Sequence, residues 1–156
     1  MATSSDGRSP RHGMSCMIEK TFVDSNILVY AYDALAGERH LIARQTLEEI
    51  WQRRTGVVST QVIQETYVNL RRKVRNPLSA AQAKGIVEDY LSWELIVNDG
   101  ASILQALEIE QRYQLSFWDA LIVHAAERAN APVLLSEDLG HGQRYGATTA
   151  HNPFLA

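Results

Sequence analysis

The chain is poor in the residues that mark secreted, fibrous or disordered proteins. Its 156 residues contain a single cysteine, so an intrachain disulfide and a cysteine-based zinc site are both excluded. There are only 4 prolines and 9 glycines, while 46% of the residues are hydrophobic, a composition typical of a folded domain. We therefore expect one globular domain in a reducing compartment, the cytoplasm.

Two further absences narrow the classes of function. No apolar run approaches the roughly 20 residues that span a bilayer, because acidic residues or arginine interrupt each candidate, so we expect no membrane partner. The formal net charge of -3 excludes a generally basic nucleic-acid coat but leaves local basic patches open. Residues 1–16 are small and polar, and we expect a disordered or non-native N-terminal tail ahead of a single domain over residues 17–156.

Strand and helix patterns alternate along the rest of the chain. Short runs rich in β-branched residues predict four strands and a weaker fifth, at Lys20–Val23, Val57–Val58, Glu94–Val97, Pro132–Ser136 and Ala147–Thr149. Helical spacing and caps predict the helices between them, at Ile27–Tyr32, Glu38–Arg53, Gln61–Val74, Ser79–Leu91, Ala101–Tyr113 and Phe117–Ala129. This order predicts an α/β fold, a three-layer α/β/α sandwich around a short, mainly parallel four- or five-stranded sheet.

Four acidic residues stand where apolar runs end or helices begin. Asp24 and Asp138 follow predicted strands, and Glu65 lies in the first turns of the helix launched from Val57–Val58. Asp119 is on a helix too apolar to lie at the surface. Because the carboxyl ends of parallel strands share one edge of a sheet, we expect the four carboxylates to converge there.

Each acid also has an ordinary structural explanation. Asp24 can cap the following helix, and Asp138 can be a loop residue after a strand. Asp119 stands three residues after Ser116, the spacing of a capping box, and Glu65 can simply favour a helix N-terminus. The convergence is what points to function, since four clustered carboxylates repel one another unless a cation neutralises them. An all-oxygen ligand set suits Mg²⁺ or Mn²⁺.

At these residues the sequence resembles the PIN-domain ribonucleases, most closely the VapC-type toxins of type II toxin–antitoxin systems. The resemblance rests on the segments V-D-S-N-I-L-V-Y-A-Y-D, Q-V-I-Q-E, S-F-W-D-A-L-I and L-L-S-E-D-L, which begin at Val23, Gln61, Ser116 and Leu134. It implies RNA cleavage dependent on Mg²⁺ or Mn²⁺, a cognate antitoxin and a homodimer. It also implies catalytic and metal-binding roles for Asp24, Glu65, Asp119 and Asp138, with Asn26 and Ser136 as supporting polar residues.

A run of basic residues lies at the predicted end of the helix that carries Glu65. The run consists of Arg71, Arg72, Lys73 and Arg75 and can contact RNA phosphates, although cations are favoured at any helix C-terminus.

Two other functions are alternatives to a metal-dependent ribonuclease. One is a catalytically inactive PIN-fold binding module. The other is a magnesium-dependent phosphatase of the haloacid-dehalogenase type, which requires a second aspartate where this chain has Asn26.

Overall fold

The computed structural model describes residues 19–155, so the predicted tail over residues 1–16 lies outside the described residues. A six-stranded sheet forms the centre of the domain, in the order β3-β2-β1-β4-β6-β5. All neighbouring strands are parallel except β5, which pairs antiparallel with β6. The strands are β1 (Thr21–Val23), β2 (Gly56–Ser59), β3 (Glu94–Ile96), β4 (Val133–Leu135), β5 (Arg144–Tyr145) and β6 (Thr148–His151).

Between the strands, the described residues form six α-helices. They are α1 (Ser25–Ala31), α2 (Glu38–Arg53), α3 (Thr60–Arg72), α4 (Ala80–Tyr90), α5 (Gly100–Tyr113) and α6 (Phe117–Arg128), with a 3₁₀ turn at Ala34–Ala36. Among residues 19–155, no helix is both long and apolar enough to cross a membrane.

The strand order places the helices in two layers. The chain moves from β1 to β2 to β3 in one direction along the sheet, and then returns past β1 to β4. Since parallel crossovers are right-handed, α1–α4 cover one face and α5–α6 the other. The packing agrees, because α1 lies against α2 and α3, α3 against α4, and α5 against α6. The direction reverses between β1 and β4, which is where ligands bind in open α/β sheets.

The central strands are apolar because they are buried in the core. Phe22 and Val23 of β1 and Leu134 of β4 are fully buried, because helices cover both faces of the sheet. Gly56 is the first residue of β2 and lies against the Trp93 indole, where an added Cβ atom would stand 2.4 Å from a ring carbon. Only glycine lets the backbone approach that ring.

The three-layer α/β fold with a mainly parallel sheet is confirmed, but the predicted number of strands is wrong. The sheet has six strands because Arg144–Tyr145 forms a strand that was not predicted. This two-residue strand pairs with β6 through a turn at Gly146, which has a φ of 62°. A strand of two residues is too short to show a periodic hydrophobic pattern, so this hairpin could not be predicted from the sequence.

Candidate functional site

The site is built at the carboxyl ends of β1 and β4, the point where the strand order reverses. Val23 and Leu135 are register partners, so the residues that follow them, Asp24 and Ser136, face each other. The Ser136 hydroxyl donates to Asp24 Oδ2 at 2.8 Å. Asp24 Oδ1 accepts from the Ser25 backbone N–H at 2.7 Å, which caps α1. The cap and the strand-end contact are therefore both made by one carboxylate.

Glu65 approaches Asp24 from α3. The Ser25 hydroxyl donates to Glu65 Oε1 at 2.9 Å, and the Gln61 amide donates to Glu65 Oε2 at 3.1 Å. Ser25 thus serves both acids, with its backbone N–H on Asp24 and its hydroxyl on Glu65. The predicted meeting of Asp24 and Glu65 is present in the structure as a hydrogen-bonded link between α1 and α3.

Asp138 joins from the loop after β4. The Asn26 amide donates to Asp138 Oδ2 at 3.1 Å, and the Asp138 backbone N–H donates to the Ser136 hydroxyl at 3.2 Å. Partial burial raises the pKa of the Asp138 carboxyl, and repulsion from Asp119, Glu137 and Glu65 raises it further. Asp138 therefore lies within electrostatic reach of the acids on both helix layers.

Asp119 enters from the N-terminus of α6, on the opposite face of the sheet from Glu65. Ser116 caps this helix by accepting from the Asp119 backbone N–H at 3.1 Å. Within the described part of the chain, the Asp119 carboxylate makes no return bond to Ser116, so the predicted capping box is only half formed. The side chain is thereby left available to the site.

Burial strongly raises the pKa of Asp24. Only 4% of Asp24 is exposed, and desolvation raises the pKa of its carboxyl from 3.8 to about 7. Its hydrogen bonds from Ser136 and Ser25 offset part of this effect, while the charges of Glu65 and Asp138 add to it. A cation beside Asp24 would remove this penalty.

Among residues 19–155, no basic side chain forms an ion pair with any of the four acids. The ion pairs among residues 19–155 are Lys20–Glu94, Arg39–Glu137, Arg53–Glu49 and Arg128–Asp99, and none includes the four acids. The donors to the acids are instead neutral hydroxyl, amide and backbone groups. Four carboxylates with neutral donors are a set of hard oxygen ligands, which suits a divalent ion such as Mg²⁺.

Two buried oxygens also fit a hydrated ion, although the carboxylates do not form a preformed cage. Asn26 Oδ1 and Gln61 Oε1 are buried and have no partner within residues 19–155, so each can accept a hydrogen bond from a metal-bound water. In the same range no three His, Cys, Asp or Glu side chains are arranged to hold a metal ion together. Asp24, Glu65 and Asp138 form a hydrogen-bonded network, and Asp119 lies within electrostatic reach of it. A bound ion would draw the four acids together.

The predicted basic run lies apart from this network. Arg71 uses its guanidinium to donate to the Leu78 carbonyl at 3.1 Å, which ties the end of α3 to the following loop. Arg72, Lys73 and Arg75 are exposed beside it. Arg71 thus makes a structural contact, and RNA binding by the four basic residues stays a prediction.

Three polar residues of the site were not singled out from the sequence. Ser25 and Gln61 contact Glu65, while Glu137 accepts from the Tyr30 hydroxyl at 2.8 Å and from Arg39 Nε at 2.6 Å. Glu137 immediately precedes Asp138, so its two bonds fasten the loop that carries this acid. Their spacing in the sequence could have indicated Ser25 and Gln61, because Ser25 directly follows Asp24 and Gln61 stands one helical turn before Glu65.

Comparison with known families decides what this arrangement belongs to. The family model described as the PIN domain matches residues 21–145, which include all four acids. The chain belongs to the PIN-domain family. PIN domains are nucleases, of the hydrolase class, and they generally depend on divalent metal ions. The resemblance to this family is confirmed, and the haloacid-dehalogenase alternative loses its support.

Solved structures agree with the PIN fold. The toxin VapC20 of Mycobacterium tuberculosis is 21% identical with a TM-score of 0.58, covering 73% of this chain and 86% of its own. A toxin–antitoxin complex from Klebsiella pneumoniae is 19% identical with a TM-score of 0.63, and the match covers 86% of this chain and 98% of that one. VapBC2 of Rickettsia felis, bound to a promoter DNA fragment, is 19% identical with a TM-score of 0.59, and the match covers 85% of this chain and 97% of that one. No curated protein matches the sequence significantly.

Proposed function

We propose that this PIN-domain protein is a ribonuclease dependent on Mg²⁺ or Mn²⁺, and that Asp24, Glu65, Asp119 and Asp138 are its catalytic and metal-binding residues. One observation carries the proposal: Asp24, Glu65 and Asp138 share one hydrogen-bonded network at the reversal point of the sheet, Asp119 lies within electrostatic reach of it, and none of the four has a basic partner among the described residues. Such a network is unfavourable as mere structure. It becomes favourable when a divalent ion binds.

The hydrogen bonds suggest how the acids divide the work. Asp24 is held by a donor on each oxygen, so it presents its remaining lone pairs in a fixed direction. Asp119 has its carboxylate free of helix capping, and these two acids are the first choices as direct ligands. Glu65 and Asp138 complete the set as ligands or as the groups that orient the attacking water. Asn26 and Ser136 hold Asp138 and Asp24 in place.

A divalent ion bound there would lower the pKa of its water and stabilise the charge that develops on the scissile phosphate. The chain's own contribution is to fix the carboxylates and to hold the RNA. Arg72 ends α3, and Lys73 and Arg75 follow in the next loop. A helix rises about 1.5 Å per residue, so Arg72 begins this basic patch about 10 Å along the helix axis from Glu65. Phosphates flanking the scissile bond can reach that patch.

We further propose that the protein is the toxin of a type II toxin–antitoxin pair. The supporting observations are its structural neighbours, one of which is a toxin that cleaves the sarcin–ricin loop, while the other two are toxin–antitoxin complexes. A cognate antitoxin and a homodimer are accordingly the expected partners, in the cytoplasm. An inactive PIN-fold binding module is the alternative, and only an activity measurement separates the two.

The proposal is tested by mapping RNA ends in cells after the protein is induced. Wild type should produce new RNA ends within minutes at a restricted set of sites, and Asp119→Asn should produce none at equal protein level. Co-expression of the antitoxin should suppress the ends made by wild type. Identical RNA ends from wild type and Asp119→Asn would support the inactive binding module instead.

A further inference from the structure

Gln61 makes the contacts that most directly link the two helix layers at the site. It lies on α3, and only 7% of the residue is exposed. Its amide nitrogen donates to Glu65 Oε2 at 3.1 Å and to the Trp118 carbonyl at 3.3 Å. Both partners are acceptors only, so the amide must present its NH₂ group to them, and its orientation is chemically determined.

These two bonds connect acids that the sheet otherwise separates. Glu65 is on α3 and Asp119 on α6, which cover opposite faces of the sheet. The Trp118 carbonyl belongs to the residue immediately before Asp119, so a bond to it fixes the start of α6. The Gln61 side chain therefore bonds both the Glu65 carboxylate and the backbone next to Asp119.

The remaining atom of the amide supports a functional reason for this residue. Gln61 Oε1 is buried and lacks a partner among residues 19–155. An unpaired buried carbonyl is unfavourable, and such atoms in native proteins commonly bind an ordered water or serve a site. An apolar residue at position 61 would avoid that cost, but it would lose both donor bonds.

We propose that Gln61 is a positioning residue that fixes the Glu65 carboxylate relative to Asp119, and so sets the affinity of the site for a divalent ion. This inference rests on the proposed metal-dependent nuclease function. Groups that orient metal ligands through hydrogen bonds typically change metal affinity or activity by about 10- to 100-fold when they are replaced.

The test measures Mn²⁺ binding by calorimetry without RNA, alongside kcat and KM for cleavage of a synthetic RNA. Gln61→Met keeps the length of the side chain but removes both donors. It should weaken Mn²⁺ binding at least about tenfold and lower kcat by a similar factor, with KM within about twofold of wild type. Gln64→Met, at an exposed glutamine on the same helix, is the matched control and should change neither quantity.

A second variant separates positioning from misfolding. Gln61→Asn keeps the amide but is one methylene too short to reach both acceptors, and it should show the same loss of Mn²⁺ affinity. Circular dichroism and urea unfolding of each variant establish that the protein is folded. Wild-type Mn²⁺ affinity in folded Gln61→Met or Gln61→Asn would overturn the proposal.

A double variant tests whether Gln61 acts through Glu65. The Glu65→Ala variant has no carboxylate at position 65 for Gln61 to orient. Adding Gln61→Met to it should therefore change Mn²⁺ affinity by less than about threefold. A full tenfold effect in that background would contradict the proposed role. Failure of the function itself looks different, because wild type would then neither bind Mn²⁺ nor cleave RNA.

Discussion

Replacement of Asp24 by asparagine should stabilise the metal-free protein while it removes the proposed activity. The Asp24 carboxyl is buried, and desolvation raises its pKa from 3.8 to about 7. At pH values above 7, the charged form therefore costs the folded state on the order of 4 kcal/mol relative to the unfolded chain. Asparagine keeps the shape and can still accept from the Ser25 N–H, but it carries no charge.

The sign of the pH dependence follows from the raised pKa. The stability linked to this group is fully present below pH 3.8 and is lost as the pH rises through about 7. In EDTA, wild type and Asp24→Asn should be similarly stable near pH 4. The variant should become the more stable by up to about 4 kcal/mol at pH 8.

Urea unfolding followed by tryptophan fluorescence measures these differences. Asp89→Asn, at an exposed aspartate, is the control and should stay within about 0.5 kcal/mol of wild type. Mg²⁺ at 100 times its dissociation constant should add about 2.7 kcal/mol to wild type and much less to Asp24→Asn. Equal stability of wild type and Asp24→Asn at pH 8 in EDTA would refute the conclusion that the Asp24 charge is uncompensated.

Three other predictions concern the core, the proposed RNA-binding patch and the N-terminus. Gly56→Ala places a methyl group against the Trp93 ring and should destabilise the protein by about 1–3 kcal/mol in urea unfolding. Arg72→Gln and Arg75→Gln should each weaken RNA binding, with the slope of log affinity against log salt falling by about 0.7 per variant. A chain that starts at Met17 should keep its stability and RNA cleavage, since the PIN match begins at residue 21.

Each of these has its own control. Gly85→Ala, in helix α4 with no atom near the new methyl group, should leave stability unchanged or raise it. Equal costs at Gly56 and Gly85 would mean that the Trp93 contact is unimportant. Arg44→Gln, at an exposed arginine on α2, should leave the salt slope unchanged. Loss of cleavage in a folded chain starting at Met17 would place a functional residue within residues 1–16.

The sequence predicts the centre of the fold because local pattern and burial agree there. Thr21–Val23 and Val133–Leu135 consist of β-branched and apolar residues, and helices do cover both faces of those strands. The strand–helix order then places Asp24 and Asp138 at one edge of the sheet. Arg144–Tyr145 escapes prediction because its strand exists only through pairing with β6.

The details of the site depend on tertiary packing that no local pattern encodes. Asp24 was open to interpretation as a helix cap or a site residue, and the structure shows that it caps α1 and also bonds Ser136. Gln61 can be seen as a link only once α3 is packed near the start of α6. Arg71 is separated from the rest of the basic run by its bond to Leu78, a contact set by the loop after α3.

RNA cleavage by the purified protein is the most direct test of the central claim, that the four acids form a divalent-metal nuclease site. Wild type should cleave a synthetic RNA in Mg²⁺ or Mn²⁺, stop in EDTA and recover when the ion is restored, while folded Asp24→Asn and Asp119→Asn stay inactive. Cleavage by wild type that persists in EDTA, or equal cleavage by either variant, would contradict the claim.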